Sequence, residues 1–233
     1  DHRDLHYFPT RRSSDLYGSE ALFSALRSFA RPIVIIGAET PIPEIPVIRI
    51  DNYLAAREAV QYLINLGHQR IGMIHGPLDD PQAGLARYMG YKDMLTENGL
   101  FDERLVTSSW YSFDQGYSAM TQLLTRSVVP TAVFCACDLM AIGAMKAASE
   151  NGIEVPSQMA FVGFDDVEVA KMYNPSLTTV RQPFEEKGRL AVTKLVDLIH
   201  KYESGETPEP HVTKVLKHEF IPRESTRSSV QRV

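Results

Sequence analysis

Two apolar runs in this chain end in side chains that could do chemistry: Cys137-Asp138 after one, Asp165-Asp166 after the other. A thiol can serve as a nucleophile, but no histidine is placed by a motif to activate Cys137. The seven histidines show no metal spacing of the His-x-x-x-His kind with a third ligand nearby, so no metal or other cofactor is expected. No strand leads into a Gly-x-Gly-x-x-Gly or Walker phosphate loop, and no nucleophile elbow occurs. These absences argue against an enzyme and leave a binding role.

The elements around those residues say where such binding would take place. Residues 131–136 form an unbroken small and apolar run, the pattern of a strand buried on both faces. Leu139, Ile142, Met145 and Ala148 then fall at helical spacing and Gly152 stops the helix. Met159–Phe164 reads as a second buried strand, which completes a parallel βαβ unit. Ligands of such sheets sit outside the carboxyl ends of the strands. The pattern repeats along the chain. Strands are expected at Pro32–Gly37, Val47–Ile50, Arg70–Gly76, Leu105–Ser109 and Leu177–Val180. A final strand is expected at Val212–Ile221. Helices are expected from Tyr17 to Phe29, from Asn52 (read as the N-cap) to Gly67, over Ala83–Asn98 and Phe113–Thr125, and from Gly188 to Ile199. The whole is α/β with a mostly parallel sheet.

Composition agrees. A 44% hydrophobic content supports a core, and no apolar stretch approaches the roughly 20 residues of a membrane span. No signal peptide is visible. Cys135 and Cys137 sit two apart on one strand, which suits a disulfide poorly and points to a reducing, cytoplasmic setting. A net charge of -5 argues against direct nucleic-acid binding by these residues. Residues 1–16 lack apolar periodicity and are set aside as a non-native or disordered leader.

Several local sequences, in order, resemble the LacI/GalR family of transcriptional regulators. They are Asp51-Asn52, Leu66-Gly67-His68-Gln69-Arg70-Ile71-Gly72, Gly76-Pro77, Arg87-Tyr88-Met89-Gly90-Tyr91 and Pro130–Phe134. Val162-Gly163-Phe164-Asp165-Asp166 and Pro175–Pro183 complete the set. Phe134-Cys135 and the ending Arg223–Arg227 are most similar to the cytidine-repressor subgroup. The resemblance implies a two-lobed fold of the periplasmic-binding-protein type, a small effector (a nucleoside or a sugar) in the cleft, and a homodimer. It implies operator DNA as a partner only through an N-terminal headpiece that this chain does not contain, and an N-terminal lobe whose first strands are missing. The Pro32–Gly37 strand would then have an open edge. By analogy, 17–52 and 184–211 form the N-terminal lobe, 53–183 and 212–224 the C-terminal lobe, and 225–233 a tail. The chain would cross between lobes near Asn52, Pro183 and Val212. An alternative within the same fold is a periplasmic solute-binding protein.

The resemblance also assigns a ligand set. Arg87 would fork onto ligand oxygens, Asp165 would accept from hydroxyls, and Tyr111 would stack on the ligand face. Gln182 would contact ligand at a crossover, and Asp79 would lie on the pocket rim. Cys137 stands where the family usually has an asparagine, which removes an amide from that contact. Asp138 is read as a helix N-cap, Asp166 as the better N-cap candidate of its pair, and Trp110 as core.

Overall fold

The computed structural model describes residues 20–206, 210 and 212–226; the leader assigned to residues 1–16 and the end of the chain lie outside them. Helix α1 (Glu20–Ser28) precedes two parallel strands, β1 (Ile35–Ile36) and β2 (Val47–Ile50). Alternating helices and strands follow: α2 (Asn52–Asn65), β3 (Ile71–His75), α3 (Arg87–Glu97), β4 (Val106–Ser108), α4 (Phe113–Leu124), β5 (Ala132–Cys135) and α5 (Asp138–Glu150). The chain continues through β6 (Ala160–Asp165), α6 (Glu168–Met172), β7 (Thr178–Arg181), α7 (Phe184–Glu203), β8 (Lys214–Leu216) and β9 (Glu219–Ile221).

The strands form two sheets. One has the order β1-β2-β8, all parallel; the other runs β4-β3-β5-β6-β7-β9, with only β9 antiparallel. The larger sheet is covered on both faces, which explains its continuous apolar runs. On one side α2 and α3 bring Ala56, Val60, Leu63 and Tyr91 onto Ile71, Phe134 and Phe164. On the other, α4 and α5 bring Met120, Leu123, Met140 and Ala144 onto Ile74, Val133 and Phe161. Helices α4 and α5 touch backbone to backbone. A Cβ on Gly143 would lie 2.1 Å from the Phe113 carbonyl oxygen, and one on Gly116 2.3 Å from that of Met140. Only glycine permits that approach.

Most expected elements form, and the departures have local causes. The run Val212–Ile221 is not one strand. Its first part extends the small sheet beside β2, and after Lys217-His218 its second part pairs with β7. The last passage between sheets therefore falls between Leu216 and Glu219 rather than at Val212. The strand expected over Pro32–Gly37 shrinks to Ile35–Ile36 at a sheet edge. Asp51, not Asn52, caps α2, accepting from the Leu54 amide at 2.9 Å; Asn52 is the first helical residue and is buried. Trp110 is 43% exposed rather than core, because the chain turns from β4 into α4 there without a strand pairing to bury it. At the end of the described chain Ser225 is buried rather than part of a loose tail: its hydroxyl donates to the Phe161 carbonyl and accepts from the Thr178 amide.

Candidate functional site

A cleft of about 590 Å³ opens between the carboxyl ends of the large sheet and the small sheet. It is lined by Arg87, Tyr111, Cys137, Asp165 and Gln182, five of the six side chains singled out in the sequence, together with Asn52, Asp80, Asp138 and Lys187.

Arg87 stands where a π-helical turn, Pro81–Ala86, passes into α3, and it is 4% exposed. Its Nε donates to Asn52 Oδ1 at 3.0 Å and its Nη1 to the Ala136 carbonyl at 2.5 Å. Its guanidinium carbon lies 3.5 Å from the centroid of the Phe164 ring. Nη2 stays 3.7 Å from Asp165 Oδ1, close enough for attraction and too long for a hydrogen bond. The group is thus clamped by protein on two nitrogens while the third faces the cleft. Burial lowers its proton affinity, and Asp165 works in the opposite direction.

Asp165 ends β6 with φ 113, and Asp166 follows at φ 58, both in the region that side chains usually avoid. Such conformations persist where the surroundings over-determine them, and here they do. Asp165 Oδ1 accepts from Gln182 Nε2 at 2.5 Å, and Asp166 is held by Arg181 Nε at 2.7 Å and Arg223 Nη2 at 2.6 Å. The twist separates their roles, turning Asp165 to the cleft and Asp166 to ion pairs with Arg181 on β7 and Arg223 just past β9, so Asp166 is not an N-cap. Burial pushes the Asp165 carboxyl up, against Arg87, Gln182 and Lys187, which favour its charge.

Asp138 is likewise not a cap. Cys137 precedes α5 and Asp138 is its first residue, nearly fully buried, accepting from Thr179 Oγ1 at 2.5 Å and the Val167 amide at 2.8 Å. It ties α5 to β7 and to the loop after Asp165-Asp166. Desolvation, reinforced by Asp165 and Asp166, raises its carboxyl to about 7 despite those two hydrogen bonds. Cys135 and Cys137 are both free thiols. Cys137 borders the cleft, and burial pushes its thiol up to about 11, so it is a neutral, small apolar contact rather than a nucleophile.

Tyr111 projects its hydroxyl to Asp80 Oδ2 at 2.9 Å. The bare backbone of Gly76 makes room for it: a Cβ there would lie 2.2 Å from the phenol. Asp80 in turn accepts from the Gln82 and Ala83 amides, both at 3.0 Å, and starts the turn that delivers Arg87. The rim acid expected at Asp79 is therefore corrected to Asp80. Asp79 is exposed and does not line the cleft, because Asp80 is the residue that caps this turn and so points inward. The dipeptide Asp80-Pro81, an N-cap before a first-turn proline, was the sequence signal for it.

Lys187 also escaped the sequence reading. It lies one turn before Ala191 on the inner stripe of α7, where an apolar residue would be ordinary; it is 3% exposed and its Nζ donates to Gln182 Oε1. A charged residue on an otherwise apolar stripe was the available clue.

A second hollow of about 550 Å³ lies under α1, lined largely by Leu26, Phe29, Ile33, Ile42, Leu198 and Tyr202; none of the predicted residues reaches it. Among the described residues, no group of three or more His, Cys, Asp or Glu could hold a metal ion, and no helix is long and apolar enough to cross a membrane.

Residues 60–226 match the model of the periplasmic binding protein-like domain. This chain belongs to that family. Its curated relatives include the HTH-type transcriptional repressor CytR of Escherichia coli (strain K12), 36% identical over 91% of this chain and 62% of the relative. Solved neighbours include the transcription regulator CcpA of Lactococcus lactis, with TM-score 0.79 and 31% identity over 90% of this chain and 74% of that one. Another is a transcriptional regulator CelR–cellobiose complex, with TM-score 0.74 and 32% identity over 89% of this chain and 71% of that one. These relatives are transcriptional regulators, and a further solved neighbour, from Sanguibacter keddieii, is assigned to the LacI family of regulators. The chain spans about three fifths of the length of the curated relatives it matches.

Proposed function

We propose that this chain is the effector-sensing, dimerising part of a LacI/GalR-type transcriptional repressor acting in the cytoplasm. It binds a small hydroxylated molecule, a nucleoside or a sugar, between its lobes and meets operator DNA through a separate headpiece. One observation carries the reading. Polar side chains from three strand ends (Tyr111, Asp165, Gln182) and from the starts of three helices (Asn52, Arg87, Lys187) converge on a single cleft between two sheets. The likeness to a regulator solved with cellobiose supports it.

Arg87 offers a planar donor set, Asp165 accepts from hydroxyls, and Tyr111 gives the ligand an aromatic wall. Asn52 and Gln182 lie where the chain passes from one sheet to the other, and Lys187 comes from the helix packed on the small sheet. A ligand touching all of them prefers one lobe arrangement, and it shifts the equilibrium only by its difference in affinity for the two.

The decisive experiment is calorimetric titration of the chain with nucleosides, purines and common sugars, before and after Asp165→Ala. The variant is expected to keep its melting temperature within a few degrees and to bind the effector at least about 10-fold more weakly, as loss of a hydrogen bond from a charged group dictates. Unchanged affinity would remove Asp165, and with it this cleft, from effector recognition.

A further inference from the structure

Lys187 is more cation than a neutral sugar or nucleoside requires. An ammonium has three donors and no acceptor, and among the described residues its one hydrogen-bonded partner is the neutral amide oxygen of Gln182. The nearest aromatic face, Phe184, is 5.4 Å away, a modest cation–π contact. Burying a charge without an opposite partner is costly, so a buried lysine left this way implies a partner that arrives from outside.

The acids around it are committed. Asp80 accepts from two backbone amides and from Tyr111, and Asp138 from Thr179 and Val167. Asp165 is engaged by the Gln182 amide and attracted to Arg87. Glu185 and Glu186 on the first turn of α7 are exposed and face a neighbouring hollow, not the cleft. The cleft thus presents two cations, Arg87 and Lys187, that share the charge of one carboxylate, Asp165. Gln182 lies between them as a relay, its amide group donating to Asp165 and its oxygen accepting from Lys187. An incoming anion fits on the Lys187 side of that relay, away from Asp165.

We propose that the effector is an acidic hydroxylated molecule, with a carboxylate or phosphate received by Lys187 while Arg87 and Asp165 hold its hydroxyls. This rests on the effector reading above and narrows it. The electrostatics agree: burial, and then the charge of Arg87, hold the Lys187 amine below its ordinary value, with only Asp165 opposing them, and an anion beside it relieves that.

The test uses the whole chain and matched probes, each neutral parent beside its acidic derivatives: glucose with glucuronate and glucose 6-phosphate, ribose with ribose 5-phosphate, cytidine with its 5′-monophosphate, and inorganic phosphate alone. Thermal shift ranks them and calorimetry measures them. At least one acidic member is expected to bind about 10-fold tighter than its neutral parent. The uronate and phosphate arms show which acid is read, and inorganic phosphate alone is expected to bind far more weakly than the matching ester. Lys187→Met should abolish the preference and Lys187→Arg should retain much of it. Lys187→Gln, uncharged but still able to donate to Gln182, serves if the methionine variant does not fold. Neutral parents binding as tightly as their acids, or a preference that survives Lys187→Met and Lys187→Gln, would overturn the proposal. If neutral parents bind, lose affinity in Asp165→Ala and are exceeded in affinity by none of their acidic derivatives, the effector reading stands while the charge inference falls. If no probe of either kind binds, both fall.

Discussion

The two sheets are built to different standards. In the large one, Ile71, Val133, Phe134, Phe161 and Phe164 are completely buried between helices on both faces. In the small one, strands are two to four residues long, Ile36 and Val215 are half exposed, and α1 buries no residue at all. Val192 and Val196 on α7 also face outward. The cleft inherits this asymmetry. Its large-sheet wall is fixed in advance by the Arg87–Asn52, Arg87–Ala136, Tyr111–Asp80 and Asp138–Thr179 hydrogen bonds. Its other wall is chiefly Ile36, Gly37, Phe184, Lys187 and Gly188, carried on a thin sheet and one helix. A preorganised half facing a pliable half is an arrangement in which ligand binding can be felt as movement of the second against the first.

Hydrogen exchange is the broadest way to break that contrast. Amides of β5 and β6 are expected to exchange only on global unfolding, those of Ile35, Ile36 and α1 orders of magnitude faster. Equal protection in both sheets would refute it. Arg87→Ala comes next. It strands the Asn52 side chain, the Ala136 carbonyl and the Asp165 carboxyl, and should cost about 3–5 kcal/mol in denaturant unfolding; a loss below 1 kcal/mol would show that the fixed wall does not depend on this residue.

Asp138 gives the fixed wall a pH dependence. Its folded carboxyl titrates at about 7, above an unfolded value of about 3.9, so the folded chain holds the extra proton. The stability that this proton brings is fully present below the unfolded value and is lost as pH rises through about 7. The melting temperature should therefore fall between about pH 4 and 7, and Asp138→Asn should flatten that slope, since an amide can donate to Thr179 and still accept from Val167. A slope unchanged in the variant would assign the dependence elsewhere. Smallest of all are changes beside the rim acid Asp80. Tyr111→Phe removes one hydrogen bond to Asp80 and should cost about 1 kcal/mol, while Asp79→Ala should stay within about 0.5 kcal/mol in the same melt. A larger loss at Asp79 would restore it to the site.

What could be read from sequence follows the same division. The large sheet was legible because strands covered on both faces must be apolar throughout, and the helices between them stop at Gly67, Gly99 and Gly152, all with positive φ. Short, half-covered strands carry no such signature. Val212–Ile221 kept its alternation while changing sheets, and Pro32–Gly37 kept its apolar run while pairing over only two residues. In the site, Arg87, Tyr111, Cys137, Asp165 and Gln182 were reached through family likeness. Asp80, Asn52 and Lys187 required geometry, since whether a polar residue at a helix start points in or out depends on which neighbour caps the helix. Asp51 and Asp80 cap; Asn52 and Arg87 are thereby turned inward.

Trp110 turned outward instead of into the core, and it is the sole tryptophan of the chain. It is the chain neighbour of Tyr111, which lines the cleft, and stands half in water. Its indole is therefore a built-in optical gauge: ultraviolet emission from this protein comes chiefly from one spot, one residue along the chain from the cleft lining. Any rearrangement that dries this side chain should blue-shift the spectrum, with no label attached.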